Sequence, residues 1–234
     1  MGEGAVSAAL GLAGVPDVSE STMIARDGAL CLYEDARAHV QHLSARASVE
    51  AVAAAKAAGA KLTAELTPHH LVFTDEEVRS LDSRFKMNPP LRTEDDRQAL
   101  IEALRSGVAD CIGTDHAPHA PHEKQVPFEV ANMGVTGLET AFAALYTHLV
   151  EPGILPLESV LERMSAGPAR AYGLDEPRIA VGQPANLVLL DLKASYRVTA
   201  DSFRSRSINS WLLDATVKGS VRATIAAGRL VFST

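Results

Sequence analysis

Between Ile112 and Lys124 an apolar run stops and four ionisable side chains, Asp115, His116, His119 and His122, follow within eight positions. Carboxylate and imidazole are the groups that hold divalent metals and move protons near neutral pH. Ala109 to Gly113 is apolar enough for a buried strand, and in barrels and open α/β sheets the residue leaving a strand's carboxyl end is the one that meets ligand. Asp115 is that residue. A plainer reading stands beside this one: Asp and His ahead of Pro are common turn formers, and His119 and His122 would then be solvated. His122, Glu123 and Lys124 read as a solvated rim.

Three other stretches carry candidate groups. His39-Val40-Gln41-His42-Leu43-Ser44 alternates like a strand running into a loop, which places His42 as a neutral imidazole donor for zinc or as a hydrogen-bonded interior histidine. His39 packs or caps. Asn88, in Phe85-Lys86-Met87-Asn88-Pro89-Pro90-Leu91-Arg92, offers a donor and an acceptor to a polar ligand, or opens an Asn-Pro turn. Arg92 reads as a surface or supporting residue, and His69 and His70 as partners that orient other groups without being ligands themselves. At Met133-Gly134 the glycine permits close main-chain approach, to a ligand or within a simple turn.

The string Thr114-Asp115-His116-Ala117-Pro118-His119 resembles the signature that closes the last barrel strand of dihydroorotases, in the cyclic amidohydrolase superfamily, and Asn88-Pro89-Pro90-Leu91-Arg92 is family-like too. The resemblance runs over essentially the whole chain, yet covers only about the last half of such an enzyme, so the sequence reads as amino-terminally truncated. It implies an α/β fold, an incomplete (β/α)8 TIM-type barrel over residues 1–175 followed by a small β-sandwich portion over 176–234. It implies two Zn2+ ions in a complete site, with His42 and Asp115 as a partial ligand set. Asp115 would also take a proton from the attacking hydroxide and deliver it to the departing ring nitrogen. Asn88, His119, Met133 and Gly134 would bind substrate. The reaction implied is reversible hydrolysis of dihydroorotate to N-carbamoyl-L-aspartate, in pyrimidine biosynthesis. Hydantoinase or allantoinase chemistry is the nearest alternative. A non-catalytic, dihydroorotase-like scaffold for aspartate carbamoyltransferase is another, and a homo-oligomer is a further partner arrangement. The family's His-x-His pair on its first strand is missing from this sequence.

The 234 residues are 47% hydrophobic and 22% charged, an ordinary globular balance that argues against disorder. A net charge of −7 with 22 scattered basic residues argues against a nucleic-acid surface. Cys31 and Cys111 lie far apart in apolar segments, as buried thiols of a reducing compartment do, which makes the cytoplasm the expected location. The alanine-rich stretch Ala51 to Ala60 carries Lys56 and is too short to span a bilayer, so no membrane partner is expected.

The elements that must position these groups alternate. Gly2 to Pro16 reads as a loop with one helical turn at Ala5 to Ala9, and Ser19 to Asp35 as a helix capped by Ser19. Ala38 to Ser44 is a strand and its loop, and Ser48 to Ala58 a helix stopped by Gly59. Lys61 to Leu66 is a strand, Thr67-Pro68-His69-His70 its loop, and a polar helical segment follows Thr74. Thr93 to Ser106 is an amphipathic helix ended by Gly107, ahead of the Ala109 to Gly113 strand. Three strand-and-helix units in succession imply a parallel sheet with crossover helices. Further on, Gly134 to His148 and Leu157 to Tyr172 read as helices. Leu187 to Asp191 and Tyr196 to Thr199 then read as two strands, with a hairpin around Ala227-Gly228.

Overall fold

The computed structural model describes residues 1–234. Its element order starts with α1 (Ala5–Leu10) and α2 (Val18–Tyr33). The α2 cap is Asp17, whose carboxylate accepts from the Val18 N–H, while the expected cap Ser19 turns its hydroxyl back to the Pro16 carbonyl. Ile24, Gly28 and Cys31 are buried at helical spacing on α2. Gly28 lets α2 lie close against α3 (Arg46–Ala57), since a Cβ there would stand 2.7 Å from that of Ala55. Thr93 caps α5 (Glu94–Ser106) in a reciprocal pair with Asp96, and Gly107 ends it in the left-handed region.

Between these helices run β1 (Arg37–Val40), β2 (Lys61–Leu66) and β3 (Cys111–Ile112), hydrogen-bonded in that order and parallel. Ala38, Val40, Leu62, Ala64, Leu66 and Ile112 face the core shared with α2, α3 and α5. Alternation turns His39, Thr63, Glu65 and Cys111 to the other face. The regular part of β3 is shorter than the apolar run suggests, but Asp110 N–H to the Ala64 carbonyl and Gly113 N–H to the Leu66 carbonyl carry the pairing past both its ends.

Thr67 to His70 is no loop: Thr67 caps a short helix, α4 (Pro68–Val72), with Pro68 in its first turn, where a missing N–H does no harm. The polar segment after Thr74 is a 3-10 turn over Asp75–Ser80, capped by Thr74 and Glu77. After β3 come a four-residue helix, α6 (Pro121–Lys124), and a long irregular stretch. The helix expected from Gly134 begins only at α7 (Ala141–Leu145) and relaxes into a π turn over Tyr146–Val150. Gly134 has φ 124°, and Val135 and Thr136 pair with His116 and Asn209, so this backbone is committed elsewhere. The expected helix Leu157 to Tyr172 is two, α8 (Leu157–Met164) and α9 (Ala166–Tyr172), broken at Ser165 where φ is −133°.

The carboxyl-terminal strands β4 (Leu187–Arg197), β5 (Thr216–Ala226) and β6 (Arg229–Ser233) form a separate antiparallel sheet. The two strands expected within Leu187 to Thr199 are one, with a bulge in which Asp191 Oδ1 accepts from Lys193 and Ala194 N–H groups. Ala227 and Gly228, both at positive φ, turn the β5–β6 hairpin. A second apolar core joins the two parts: Phe128, Val135 and Ala144 pack with Phe203, Trp211 and Val217. No helix is long and apolar enough to cross a membrane.

Candidate active site

His42 follows β1 at φ 42°, and Asp115 follows β3 at φ 45°. Left-handed backbone at a non-glycine residue is strained by about 1 kcal/mol or more, and such strain gathers at functional sites. Each side chain is redirected at the end of its strand. The turn after His42 is held from below: Ser44 N–H and hydroxyl both donate to the Glu20 carboxylate, and Arg92 Nε donates to Ser44 Oγ at 2.9 Å. Arg92 is therefore a buried supporting residue, its other arm reaching the Val15 carbonyl at 2.8 Å.

Burial pushes the Asp115 carboxyl above its ordinary range, His42 opposes that shift, and Glu65 adds to it. No hydrogen bond takes part, so the carboxylate is free to bind something else. Glu65 sits just beneath, where a Cβ on Gly113 would lie 2.6 Å from its Oε1. His42 Nδ1 is likewise buried without a partner. An unpartnered imidazole nitrogen and an unbonded carboxylate within each other's field are a donor set that suits a divalent metal. Two such groups are one fewer than a catalytic zinc ordinarily takes from protein.

Asn88 is exposed and shares a cavity of 430 Å³ with His42, Glu20, Ile24, Pro89 and Arg92. The loop that carries it is fixed by His70 of α4. The Pro89 carbonyl can only accept, so His70 Nε2 carries the proton, at 3.0 Å, and Nδ1 accepts from the Thr67 hydroxyl at 2.7 Å. Burial pulls His70 down to about 4 against the opposing Pro89 bond, and it pulls His69 well below its ordinary value. For His70 the lowered value agrees with a ring nitrogen that accepts from the Thr67 hydroxyl, while His69 Nε2 is buried with no partner.

His119, Met133 and Gly134 do come together, beside a different cavity of 620 Å³. His119 Nε2 meets the Met133 carbonyl at 2.8 Å. The Gly134 N–H is bound to the Lys86 carbonyl, and the Gly134 carbonyl receives Lys124 Nζ at 3.0 Å and Asn209 Nδ2 at 3.2 Å. Met133, half exposed, keeps its N–H out of any backbone bond and is the available main-chain donor of the pair. Lys124 is buried and not on a solvated rim: it also reaches the Asn132 carbonyl at 2.8 Å, and burial lowers its ammonium to about 8. A cation buried among carbonyls gives no sequence signal that separates it from a surface lysine. His116 accepts through Nδ1 from the Gly137 and Leu138 N–H groups, a role its spacing did not announce.

On the face of the parallel sheet turned away from the helical core, His39, Glu65 and Cys111 bring one donor atom each within 4.8 Å of one another, a group able to hold a metal ion. His39 already meets Thr63 Oγ1 at 2.7 Å and Glu65 Oε2 at 3.2 Å, so it packs as expected. Burial raises the Cys111 thiol to about 12. Neither cysteine forms a disulfide.

Residues 8–231 match the sequence profile of the amidohydrolase family. The chain belongs to that family. This amidohydrolase is 44% identical over 230 residues to the dihydroorotase of Anoxybacillus flavithermus, covering 98% of this chain and 54% of that one. The Bacillus subtilis dihydroorotase matches to the same extent, 44% over 230 residues and 54% of its length. Among solved structures, the L-hydantoinase of Arthrobacter aurescens superposes with a TM-score of 0.85 at 29% identity, over 91% of this chain and 48% of that one. The dihydropyrimidinase of Brevibacillus agri, at 24% identity and TM-score 0.85 over 93% of this chain and 49% of that one, shares the fold. The amidohydrolase chain thus spans about half the length of the curated relatives it matches.

Proposed function

We propose that the intact gene product containing these residues is a zinc-dependent dihydroorotase, interconverting dihydroorotate and N-carbamoyl-L-aspartate in the cytoplasm for pyrimidine synthesis. Asp115 carries the reading: a strained, half-buried carboxylate, free of hydrogen bonds and in the field of His42, within a Thr-Asp-His-Ala-Pro-His string, on a chain 44% identical to dihydroorotases. His42 and Asp115 would hold metal, and the metal when bound supplies Lewis-acid polarisation and an activated water. Asp115 accepts the proton released during attack and returns it to the ring nitrogen. Asn88 and His119 hold the substrate, with Met133 and Gly134 forming the wall against it.

Residues 1–175 are read as part of a (β/α)8 barrel and 176–234 as part of a β-sandwich beside it. The further donors that a complete centre needs would lie in the share of the relatives' length that this chain does not match. Support comes from the apolar surface left open. Met23 and Leu30 on α2 are 55% and 52% exposed, and Leu189 on β4 is 63% exposed, apolar surface that further chain would cover.

The hydantoinase neighbour keeps a second substrate class in view. The test is to express the intact gene product with zinc and assay both dihydroorotate and hydantoin at neutral pH. Turnover of dihydroorotate is expected, and turnover of hydantoin alone would transfer the assignment to that class.

A further inference from the structure

We propose that Asn209, in the carboxyl-terminal segment between β4 and β5, is a positioning residue that clamps both arms of the loop carrying His119 and Gly134, and that it thereby sets substrate affinity. The affinity part rests on the function proposed above; the clamp does not. Asn209 is buried, and its amide reaches three residues on two separated stretches of chain. Oδ1 accepts from the His119 N–H at 3.2 Å. Nδ2 donates to the Ala117 carbonyl and to the Gly134 carbonyl, each at 3.2 Å. The orientation of the amide is dictated by these partners, because a flip would set NH2 against an N–H and oxygen against two carbonyls.

The neighbouring bonds reinforce the same two arms. Ser207 Oγ donates to the His119 carbonyl at 2.6 Å and lies against Asn209 Oδ1. The Asn209 carbonyl accepts from the Thr136 N–H at 3.1 Å. The arms are themselves in close contact: a Cβ on Gly134 would stand 2.6 Å from the Ala117 Cβ and 3.0 Å from His119 Nε2. Residues 125–140 contain no strand and no regular helix, so their shape is set by such cross-links and not by a ladder. With the Gly134 carbonyl held by Asn209 and Lys124, the Gly134–Val135 peptide has one orientation, and the Met133 carbonyl before it meets His119 Nε2.

The test uses the intact gene product with Asn209→Ala and Ser207→Ala. Thr147→Val is the control: it breaks the Thr147–Lys218 bond of 2.8 Å between the π turn and β5, away from the loop. Amide hydrogen exchange and steady-state kinetics on dihydroorotate are both measured. Asn209→Ala should speed exchange across 117–136 and raise KM, each by about tenfold, with kcat changed by less than about threefold, as loss of buried hydrogen bonds that orient a binding wall predicts. Ser207→Ala should move both in the same direction and less far, and it carries the test if Asn209→Ala does not fold. Thr147→Val should do neither. Exchange that stays unchanged at 117–136, or rises equally throughout the molecule, would overturn the clamp. A loosened loop with unaltered KM would overturn its role in affinity. If the wild-type protein does not turn over dihydroorotate, the functional reading fails while the exchange measurement still decides the clamp.

Discussion

Asp115 shows how much one backbone angle does. A residue continuing β3 would present its side chain to one face of the sheet, whereas φ 45° turns the Asp115 backbone out of the strand, with the carboxylate in the field of His42, where burial raises its proton affinity. Removing that group should therefore be severe. Asp115→Asn in the intact gene product is expected to lower kcat by at least about a thousandfold, since an amide neither accepts the proton nor ligates metal well. Asn88→Ala, which leaves the acid in place, should act chiefly on KM. Near-normal turnover by the Asp115 variant would remove this residue from the mechanism.

Helix α4 illustrates an element whose stability depends on the charge state of its own residues. His69 and His70 are both buried and both hold their protons less tightly than an unfolded histidine does. In the unfolded chain the imidazole takes a proton near 6.5, while folded His70 resists until about 4. Across that window the unfolded state binds more protons, so stability falls as pH falls, by on the order of 3 kcal/mol for a shift of this size, and levels off for this group below the folded value. Urea unfolding of the metal-free protein from pH 7 to pH 4.5 measures the slope. His70→Gln should flatten it by about one proton, and an unchanged slope would mean that His70 is not buried as a neutral group.

At the scale of the molecule, the parallel sheet has three strands, with β1 and β3 at its edges, and apolar side chains are exposed on α2 and β4. Open edges and apolar faces favour association with other chains. Expressed alone, these 234 residues should hold less than one zinc ion after dialysis and show no dihydroorotate turnover, because His42 and Asp115 are too few donors for a tight centre. Elemental analysis with an activity assay settles this. Two retained zinc ions with turnover would mean that the missing donors are recruited from within, the His39, Glu65 and Cys111 group being the first place to look.

Local sequence was enough wherever a local rule applied. Thr93 with Asp96 starts α5, Gly107 stops it, and Ala227-Gly228 turns a hairpin, all through near neighbours in the chain, while Lys61 to Leu66 shows its strand character in its own residues although its partners β1 and β3 lie far away. The motif around Asp115 was equally legible, because its residues are consecutive. Tertiary structure alone decided what depends on partners far along the chain. Lys124 is buried because carbonyls of Lys86 and Asn132 enclose it, and residues 134–140 are not helical because His116 and Asn209 take their backbone groups. Asn209 closes on a loop some ninety residues earlier. Hydrogen bonds at that separation are set by how the two cores pack, which no local pattern of residues encodes.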